Sequence, residues 1–193
     1  MDHPNGNLAG LEADTGQVWS TPTDYDEVEI FDQAATVAVI GQSPLAVCAA
    51  CVTNLQLTGA FWMRMKLFPA STSADADQNY VALTDGGVSG FWGVLVSTID
   101  GVATLICGNA DTSTYNRTFT IVDDQDEIDI VLQVEAGGTS IELFVNGAGQ
   151  GSGSATAVPT GWVDFGPFID NELGSLTAAR VTLVALGLGR FFE

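Results

Sequence analysis

Two carboxylates stand two residues apart in the segment Glu127-Ile128-Asp129-Ile130. On a β-strand both side chains would point to one face, where paired carboxylates can act as general acid and base. Hydrolysis of a glycosidic bond with retention needs two carboxyls about 5–5.5 Å apart. The acid Glu135 lies eight residues beyond Glu127, which is too far along a strand that rises about 3.3 Å per residue. We therefore interpret Glu127, Asp129 and Glu135 as solvated charges of an outer sheet face.

The spacing Asp75-x-Asp77-x-Asn79 matches the first oxygen ligands of a calcium-binding loop. Tyr80 stands where such a loop has its turn glycine, and Gly86 stands where it has its last glutamate. Calcium could be held at this segment, and the alternative interpretation is an acidic surface loop. We expect no other cofactor.

Nucleophilic chemistry has few candidates in this chain. His3 is the single histidine and lies in a polar N-terminal segment, which leaves a Ser-His-Asp or Cys-His arrangement without a well-placed base. Cys48 and Cys51 form a lone C-x-x-C, and Cys107 is the only other cysteine. A metal site needs more thiol or imidazole ligands than these, so we predict that the cysteines are core residues.

The segment Phe61–Phe68 places Trp62, Arg64 and Lys66 on one face if it is a strand. Two of the five basic residues of the chain then lie beside a tryptophan. Sugar-binding faces and protein interfaces both combine aromatic rings with a few polar groups, so this face is a candidate binding surface for a partner or a glycan. The alternative is that the two basic residues form ion pairs on a neighbouring strand with Glu127, Asp129 or Glu142.

The elements that must position these residues read as short strands. Apolar stretches rich in Val, Ile, Thr and aromatic residues alternate with Gly, Asn, Asp and Ser. We predict strands near residues 26–31, 34–40, 45–57, 60–68, 78–84, 89–98, 102–107, 116–122, 127–135, 139–146 and 178–190, with weaker signals at 17–20 and 161–168. Turns are predicted at Asp100-Gly101, Gly137-Gly138 and Asn146-Gly147. The pattern favours an all-β fold, an antiparallel β-sandwich of jelly-roll type.

Two segments fall outside this pattern. Residues 147–161 are rich in glycine and serine and are predicted to form a flexible surface loop. Residues 1–25 are predicted to form an extended N-terminal arm before a single sandwich domain at 26–193. The arm carries Leu8, Leu11 and Trp19, which could anchor it on a partner.

Composition excludes several partners. The 193 residues hold 24 acidic and 5 basic side chains, a net charge of −19. Binding to nucleic acid needs Lys and Arg to neutralise phosphates, and an anionic membrane surface attracts the same residues, so neither partner is expected. No run approaches the roughly 18 apolar residues of a membrane span, and no signal peptide is visible.

The order of short motifs from about residue 45 to 147 resembles the laminin G-like group of the concanavalin A-like lectin/glucanase superfamily. The motifs are an aromatic strand ending in proline (61–69), N-Y-V-A-L (79–83), G-F-W-G-V-L-V (90–96), D-G-V-A-T-L (100–105), an acid-led strand (126–134) and I-E-L-F-V-N-G (141–147). The lead-in, with Asn5-Gly6 and Asp14-Thr15-Gly16, looks like the opening of such domains in virion proteins of tailed phages.

The resemblance implies a concanavalin A-like jelly roll and a non-enzymatic protein on the virion surface of a tailed phage or related virus. Such a protein would be a capsid decoration protein or a tail or fibre adhesin, with viral capsid or tail proteins as partners. By analogy, decoration proteins sit at symmetry axes, so a homotrimer is one expected assembly. Laminin G-like domains also often hold calcium at loop rims.

Two other functions remain open. One is a glycan-binding lectin module. The other is a degenerate hydrolase, because glycoside hydrolases of family 16 share this fold and carry a strand motif E-x-D-x-E or E-x-D-x-x-E. Aligned on Glu127 and Asp129, the last glutamate of that motif would fall at Val131 or Leu132, so the catalytic set is incomplete.

Overall fold

The protein is described here by a computed structural model. It describes residues 6–7, 9–13, 17–20, 28–31, 34–37, 47–49, 52–68, 77–84, 92–99, 102–109, 112–120, 127–138, 140–154, 158, 161–170 and 180–192.

Fifteen β-strands account for most of these described residues. In chain order they are β1 (Gly6–Asn7), β2 (Val28–Phe31), β3 (Ala34–Val37), β4 (Val47–Ala49), β5 (Val52–Leu57), β6 (Phe61–Phe68), β7 (Asp77–Thr84), β8 (Trp92–Ile99), β9 (Val102–Asn109), β10 (Thr112–Thr120), β11 (Ile128–Val134), β12 (Ser140–Val145), β13 (Ala148–Ser154), β14 (Gly161–Asp170) and β15 (Arg180–Leu188).

The strands form two antiparallel sheets. One has eight strands in the order β1-β2-β3-β15-β6-β11-β12-β13, and the other has seven, β10-β9-β8-β7-β14-β4, with β5 also paired to β14. The predicted all-β antiparallel sandwich is therefore confirmed. Within the described residues, no helix is long and apolar enough to cross a membrane.

Strict alternation of burial along β6 builds the centre of the core. In β6 every second residue is buried, beginning with Phe61 and ending with Leu67. Phe61 packs edge-on against Trp92 of the other sheet, with ring centroids 6.0 Å apart. β8 and β15 are both central strands, as their long apolar segments predict.

The described part of the N-terminal arm contacts the sandwich. β1 pairs with β2. Trp19 belongs to the cluster of buried hydrophobic residues between the sheets and is 8% exposed, and Leu11 packs against the same cluster. The Trp19 backbone N–H donates to the Leu11 carbonyl at 2.9 Å. Trp19 is thus buried in the fold and Leu11 is partly buried against it, and their role as anchors on a partner stays a prediction. Leu8 lies outside the described residues.

The Gly/Ser-rich stretch after residue 147 begins with a strand, so the predicted flexible loop is wrong over Ala148–Ser154. The preceding turn explains this. Asn146 and Gly147 have φ angles of 50° and 76°, which is the left-handed pair that a two-residue hairpin turn requires. The turn aligns β13 with β12, and β13 is an edge strand that is held by its backbone.

Other boundaries shift modestly from their predictions. Residues 45–57 were predicted as one strand but form β4 and β5, which pair with different parts of β14. β10 starts at Thr112, four residues earlier than predicted. The turn at Gly137 and Gly138 is confirmed, with both residues at positive φ.

Candidate functional site

The eight-stranded sheet has one face in the core and one face turned away from it, which we call the outer face. Trp62, Arg64 and Lys66 of β6 lie on the outer face. Cross-strand pairing places Val131 of β11 beside Arg64, and Gln133 of β11 beside Trp62. The structure therefore brings the three predicted residues of β6 together on one surface.

Both basic residues of β6 form ion pairs with β11 or the residue before it. Arg64 donates from Nε to Asp129 Oδ1 at 2.8 Å and from Nη2 to Oδ2 at 2.6 Å. Lys66 Nζ lies 3.1 Å from Glu127 Oε2. Each pair is diagonal, since Lys66 is the direct cross-strand neighbour of Asp129. The ion-pair interpretation of Arg64 and Lys66 is confirmed.

These contacts set the ionisation of the two carboxylates. The hydrogen bond from Arg64 lowers the pKa of Asp129, and the hydrogen bond from the Thr182 hydroxyl, followed by that from Lys66, lowers the pKa of Glu127. The hydrogen bond to Asp129 raises the pKa of Arg64. At neutral pH both carboxylates are consequently ionised and serve as acceptors, and neither holds a proton for general acid catalysis.

The indole of Trp62 packs closely against a glycine of the next strand. A Cβ atom added at Gly187 would be 2.3 Å from Trp62 Cζ2, so only glycine leaves room for the indole. Gly187 is the cross-strand partner of Trp62 in β15. This pairing holds the indole down on the sheet and fixes its orientation.

Phe144 also lies over a glycine of its neighbouring strand, on the other side of the outer face from Trp62. Its cross-strand partner in β13 is Gly149, where an added Cβ would be 3.7 Å from the Phe144 ring. Phe191 and Phe192 lie between the two sheet-bound rings. Ring centroids are 4.7 Å apart for Trp62–Phe191, 4.8 Å for Phe191–Phe192 and 4.4 Å for Phe192–Phe144. We call this continuous line of four rings the aromatic row.

The two phenylalanines belong to a short segment that we call the cover, Arg190–Phe192. Gly189, whose φ is 83°, still donates its N–H to the Ala60 carbonyl at 2.8 Å, and the chain then crosses the outer face. The backbone N–H groups of Phe191 and Phe192 donate to Gln133 Oε1 at 2.9 and 3.1 Å. Phe191 also lies 5.3 Å from the Arg64 guanidinium carbon, a cation–π distance.

Gln133 is consequently buried, with 1% of its surface exposed. The strand places Gln133 on the outer face beside Trp62, and the cover that lies on it removes it from solvent. Among the described residues, the side-chain Nε2 of Gln133 has no hydrogen-bond partner. Two donors fix Oε1 in place, so the amide cannot be flipped to satisfy Nε2. An unpaired buried donor costs about 1–3 kcal/mol, which makes it a notable feature of this surface.

Arg190 anchors the cover at the rim of the face. Its Nη2 is 3.1 Å from Glu135 Oε1 and 3.4 Å from Glu142 Oε2. These side chains are 50%, 39% and 38% exposed, and ion pairs at such exposed positions contribute little. Among the described side chains of this face, each of the cations Arg64, Lys66 and Arg190 is therefore matched by carboxylates.

The structure describes only part of the segment that was predicted to bind calcium. Asp75 lies outside the described residues, and Asp77 and Asn79 are described only as backbone of β7. Among the side chains that the structure describes, no three His, Cys, Asp or Glu residues cluster as a metal site.

Sequence reasoning found Trp62 but missed its partners in the aromatic row. Phe144 stands in the motif I-E-L-F-V-N-G, to which the sequence analysis gives no binding role, and Phe191 and Phe192 are not among its candidates. A usable signal exists in the sequence: the strand is followed by Gly189 and Arg190 and then by two adjacent aromatic residues. Gln133 carried no signal, because its burial depends on a segment 58 residues away in the chain.

No family model and no curated protein matches the chain. Solved structures do share its fold. The carbohydrate recognition domain of Emp47p is 10% identical, with 96% of this chain and 95% of that chain covered and a TM-score of 0.61. The exoplasmic/lumenal domain of VIP36 in its Ca²⁺-bound form is 8% identical, with 97% and 90% covered and a TM-score of 0.58. An alginate lyase from Pseudomonas aeruginosa is 12% identical, with 87% of each chain covered and a TM-score of 0.52. The chain therefore has the jelly-roll fold of these carbohydrate recognition domains and lyases, a concanavalin A-like fold.

Proposed function

We propose that this protein is a non-catalytic glycan-binding module that takes sugar on the outer face of the eight-stranded sheet. The observation that carries the proposal is the pair of sheet-bound rings in the aromatic row. Trp62 packs on Gly187 and Phe144 lies over Gly149, both glycines of neighbouring strands. Sugar rings have apolar faces that pack on aromatic rings, and polar groups beside the rings give orientation.

The fold supports the same function. Emp47p and Emp46p structures with this fold are described as carbohydrate recognition domains. Because the identity is only 10% for Emp47p, the likeness concerns the fold, and the sugar-binding role comes from the residues of the outer face. A jelly roll can present such a face on a rigid sheet, which preserves ring positions without a cost of ordering on binding.

A binding role is favoured over catalysis by the state of the carboxylates. The fold also occurs in alginate lyases and in part of a sialidase, so enzymes with this architecture exist. In this chain the ion pairs with Arg64 and Lys66 occupy Asp129 and Glu127. A carboxylate that is paired and has a lowered pKa is a poor proton donor at neutral pH.

Binding to an array of neutral and acidic oligosaccharides tests the proposal. We expect Trp62→Ala to weaken binding to any bound glycan about tenfold, the effect of losing about 1.4 kcal/mol of ring contact. Lys66→Ala is the matched control, because Lys66 lies on the same strand and face but outside the aromatic row. Two outcomes would refute the glycan-binding role. One is equal binding by both variants. The other is that no glycan binds either the wild type or the variant Phe191→Ala with Phe192→Ala, which removes the two rings of the cover.

We propose further that the module acts on the virion surface of a tailed phage or related virus, in a tail or fibre adhesin. The phage-like lead-in motifs and the absence of a catalytic motif in the sequence support this setting. A capsid decoration protein is the second candidate, and the N-terminal arm was its expected anchor. Because Leu11 and Trp19 pack against the core, the arm has fewer free anchors, and this favours the adhesin.

The amount of protein per particle separates the two virion roles. A decoration protein is present in numbers comparable to the major capsid protein, and an adhesin in far fewer copies. Quantitative mass spectrometry of purified virions measures this ratio. We expect a low copy number, and stoichiometric copies would replace the adhesin with the decoration protein.

A further inference from the structure

The cover buries the Gln133 side chain, which lies on the face where we propose that a glycan binds. The Gln133 side chain is 1% exposed, and its Oε1 accepts two backbone N–H groups of the cover. Its Nε2 has no partner within the part of the chain that the structure describes. Buried side-chain amides are nearly always satisfied on both atoms. A donor left unpaired on a candidate binding face is a group that a ligand can satisfy.

The cover is attached in a way that permits opening. Its described polar contacts are the two N–H bonds to Gln133 and the exposed ion pairs of Arg190. Gly189 supplies a positive φ at the point where the chain leaves the strand, and Leu188 before it is 58% exposed. Segments with few buried contacts open at lower free energy than the sheets to which they attach.

Opening would uncover a surface suited to a sugar. Trp62 stays in place, because its indole packs so closely on Gly187 that no Cβ would fit there, and Phe144 remains on β12 over Gly149. Gln133 lies on β11, the strand between them. It is the cross-strand neighbour of Trp62 and lies two residues from Val131, which is the cross-strand neighbour of Phe144. The released Gln133 amide would then offer both a donor and an acceptor between two aromatic rings.

We propose that Arg190–Phe192 is a displaceable cover over a sugar subsite formed by Trp62, Gln133 and Phe144, and that the subsite takes a neutral glycan. The charge balance argues for the neutral class. The described cations of the face are Arg64, Lys66 and Arg190, and each is within 3.4 Å of a carboxylate. The whole chain carries a net charge of −19, which repels uronates and sialic acids. This inference rests on the proposed glycan-binding function.

Hydrogen–deuterium exchange tests the cover without any ligand. The amides of Phe191 and Phe192 should exchange much faster than those of β6 and β11, because a local opening releases them without unfolding the sheet. Exchange as slow as that of the sheet strands would show that the segment is a fixed part of the fold and would overturn the proposal.

Binding of uncovered variants to the same oligosaccharide array tests the site. Phe191→Ala with Phe192→Ala should tighten binding to neutral glycans, by about tenfold if roughly one molecule in ten is open in the wild type. Arg190→Ser keeps both rings and removes only exposed ion pairs, so it should act in the same direction with less effect and without risk to folding. Unchanged or weaker binding by both variants would refute a displaceable cover.

A third variant isolates the amide. In the Phe191→Ala, Phe192→Ala background the rings of the cover are gone, so Gln133→Met removes the amide donor and acceptor without the effect of opening the cover. We expect this variant to lose binding to neutral glycans relative to its background, and unchanged affinity would refute the role of Gln133.

The outcomes separate this inference from the proposed function. If a glycan binds the wild type and leaves the exchange of Phe191 and Phe192 unchanged, the glycan-binding role holds and the cover is refuted. If no glycan binds any variant, both are refuted. Tighter binding of acidic than of neutral glycans would overturn the assigned ligand class.

Discussion

At the scale of single residues, Gly187 and Gly149 occupy similar places beneath aromatic rings but differ in clearance. An added Cβ would be 2.3 Å from Trp62 at Gly187 and 3.7 Å from Phe144 at Gly149. The first distance is a severe overlap and the second is ordinary van der Waals contact. The glycine beneath Trp62 is therefore required by the ring, whereas the glycine beneath Phe144 is tolerated.

Gly187→Ala should destabilise the protein by about 1–3 kcal/mol, the usual cost of forcing extra atoms into a packed contact. It should also move Trp62 off the sheet and weaken glycan binding. Gly149→Ala is the matched control and should change the melting temperature little. Thermal unfolding followed by circular dichroism measures both, and equal effects of the two variants would contradict the packing described for Trp62.

The carboxylates Glu127 and Asp129 make stability depend on pH. Each has a folded-state pKa below its ordinary value of 4.5 or 3.8, so the unfolded chain takes up protons first as the pH falls. The stabilisation is complete above the ordinary pKa and disappears as the pH drops through the lowered folded value. Its loss therefore begins below about pH 4.5.

Glu127→Gln with Asp129→Asn should lower the free energy of unfolding by about 1–2 kcal/mol at pH 7, for two partly exposed pairs. The difference from the wild type should shrink below about pH 4.5. Denaturant unfolding at a series of pH values measures it. In an Arg64→Met background, Asp129→Asn should cost much less, and an undiminished cost would show that Arg64 is not the stabilising partner.

At the scale of elements, the hairpin of β12 and β13 depends on its turn. Asn146 has a φ of 50°, its side-chain Oδ1 accepts the Asp129 N–H at 2.9 Å, and its own N–H donates to the Asp129 carbonyl at 2.7 Å. The turn thereby connects the β12–β13 hairpin to the start of β11. Phe144 is carried by this hairpin, so the turn also positions one ring of the aromatic row.

Asn146→Ala should cost about 1–2 kcal/mol, because alanine is strained at positive φ and lacks the side-chain acceptor. Asn146→Gly keeps the backbone conformation without strain and loses only the hydrogen bond, so it should cost less. Urea unfolding of the two variants separates the two contributions. Equal costs would mean that the backbone strain is negligible at this turn.

The same hairpin shows what the sequence could and could not predict. β6 and β11 were predicted closely, because alternating apolar residues reflect burial on one sheet face. β13 was missed, because an edge strand of Gly, Ser and Ala buries almost nothing and is aligned by a turn and by backbone hydrogen bonds. The burial of Gln133 was missed for a different reason: it depends on tertiary contact with the cover, which no local pattern encodes.

At the scale of the whole molecule, the charge imbalance dominates electrostatics. With 24 acidic and 5 basic side chains, most carboxylates have no basic partner even if every base is paired. A compact chain of this length has a radius of gyration of about 16 Å. At 10 mM salt the Debye length is about 30 Å, so each carboxylate repels the others across the whole molecule.

Added NaCl should therefore stabilise the protein at pH 7, although it also screens the ion pairs on the outer face. From 10 to 150 mM NaCl the Debye length falls from about 30 to about 8 Å, which removes long-range repulsion but leaves contacts of 3 Å largely intact. We expect the melting temperature to rise by about 2–4 °C per kcal/mol of repulsion relieved. At pH 4 many carboxylates are neutral and the rise should shrink. A melting temperature that falls with NaCl at pH 7 would mean that the ion pairs of Arg64, Lys66 and Arg190 outweigh the net charge, and the repulsion of acidic glycans from this protein would lose its basis.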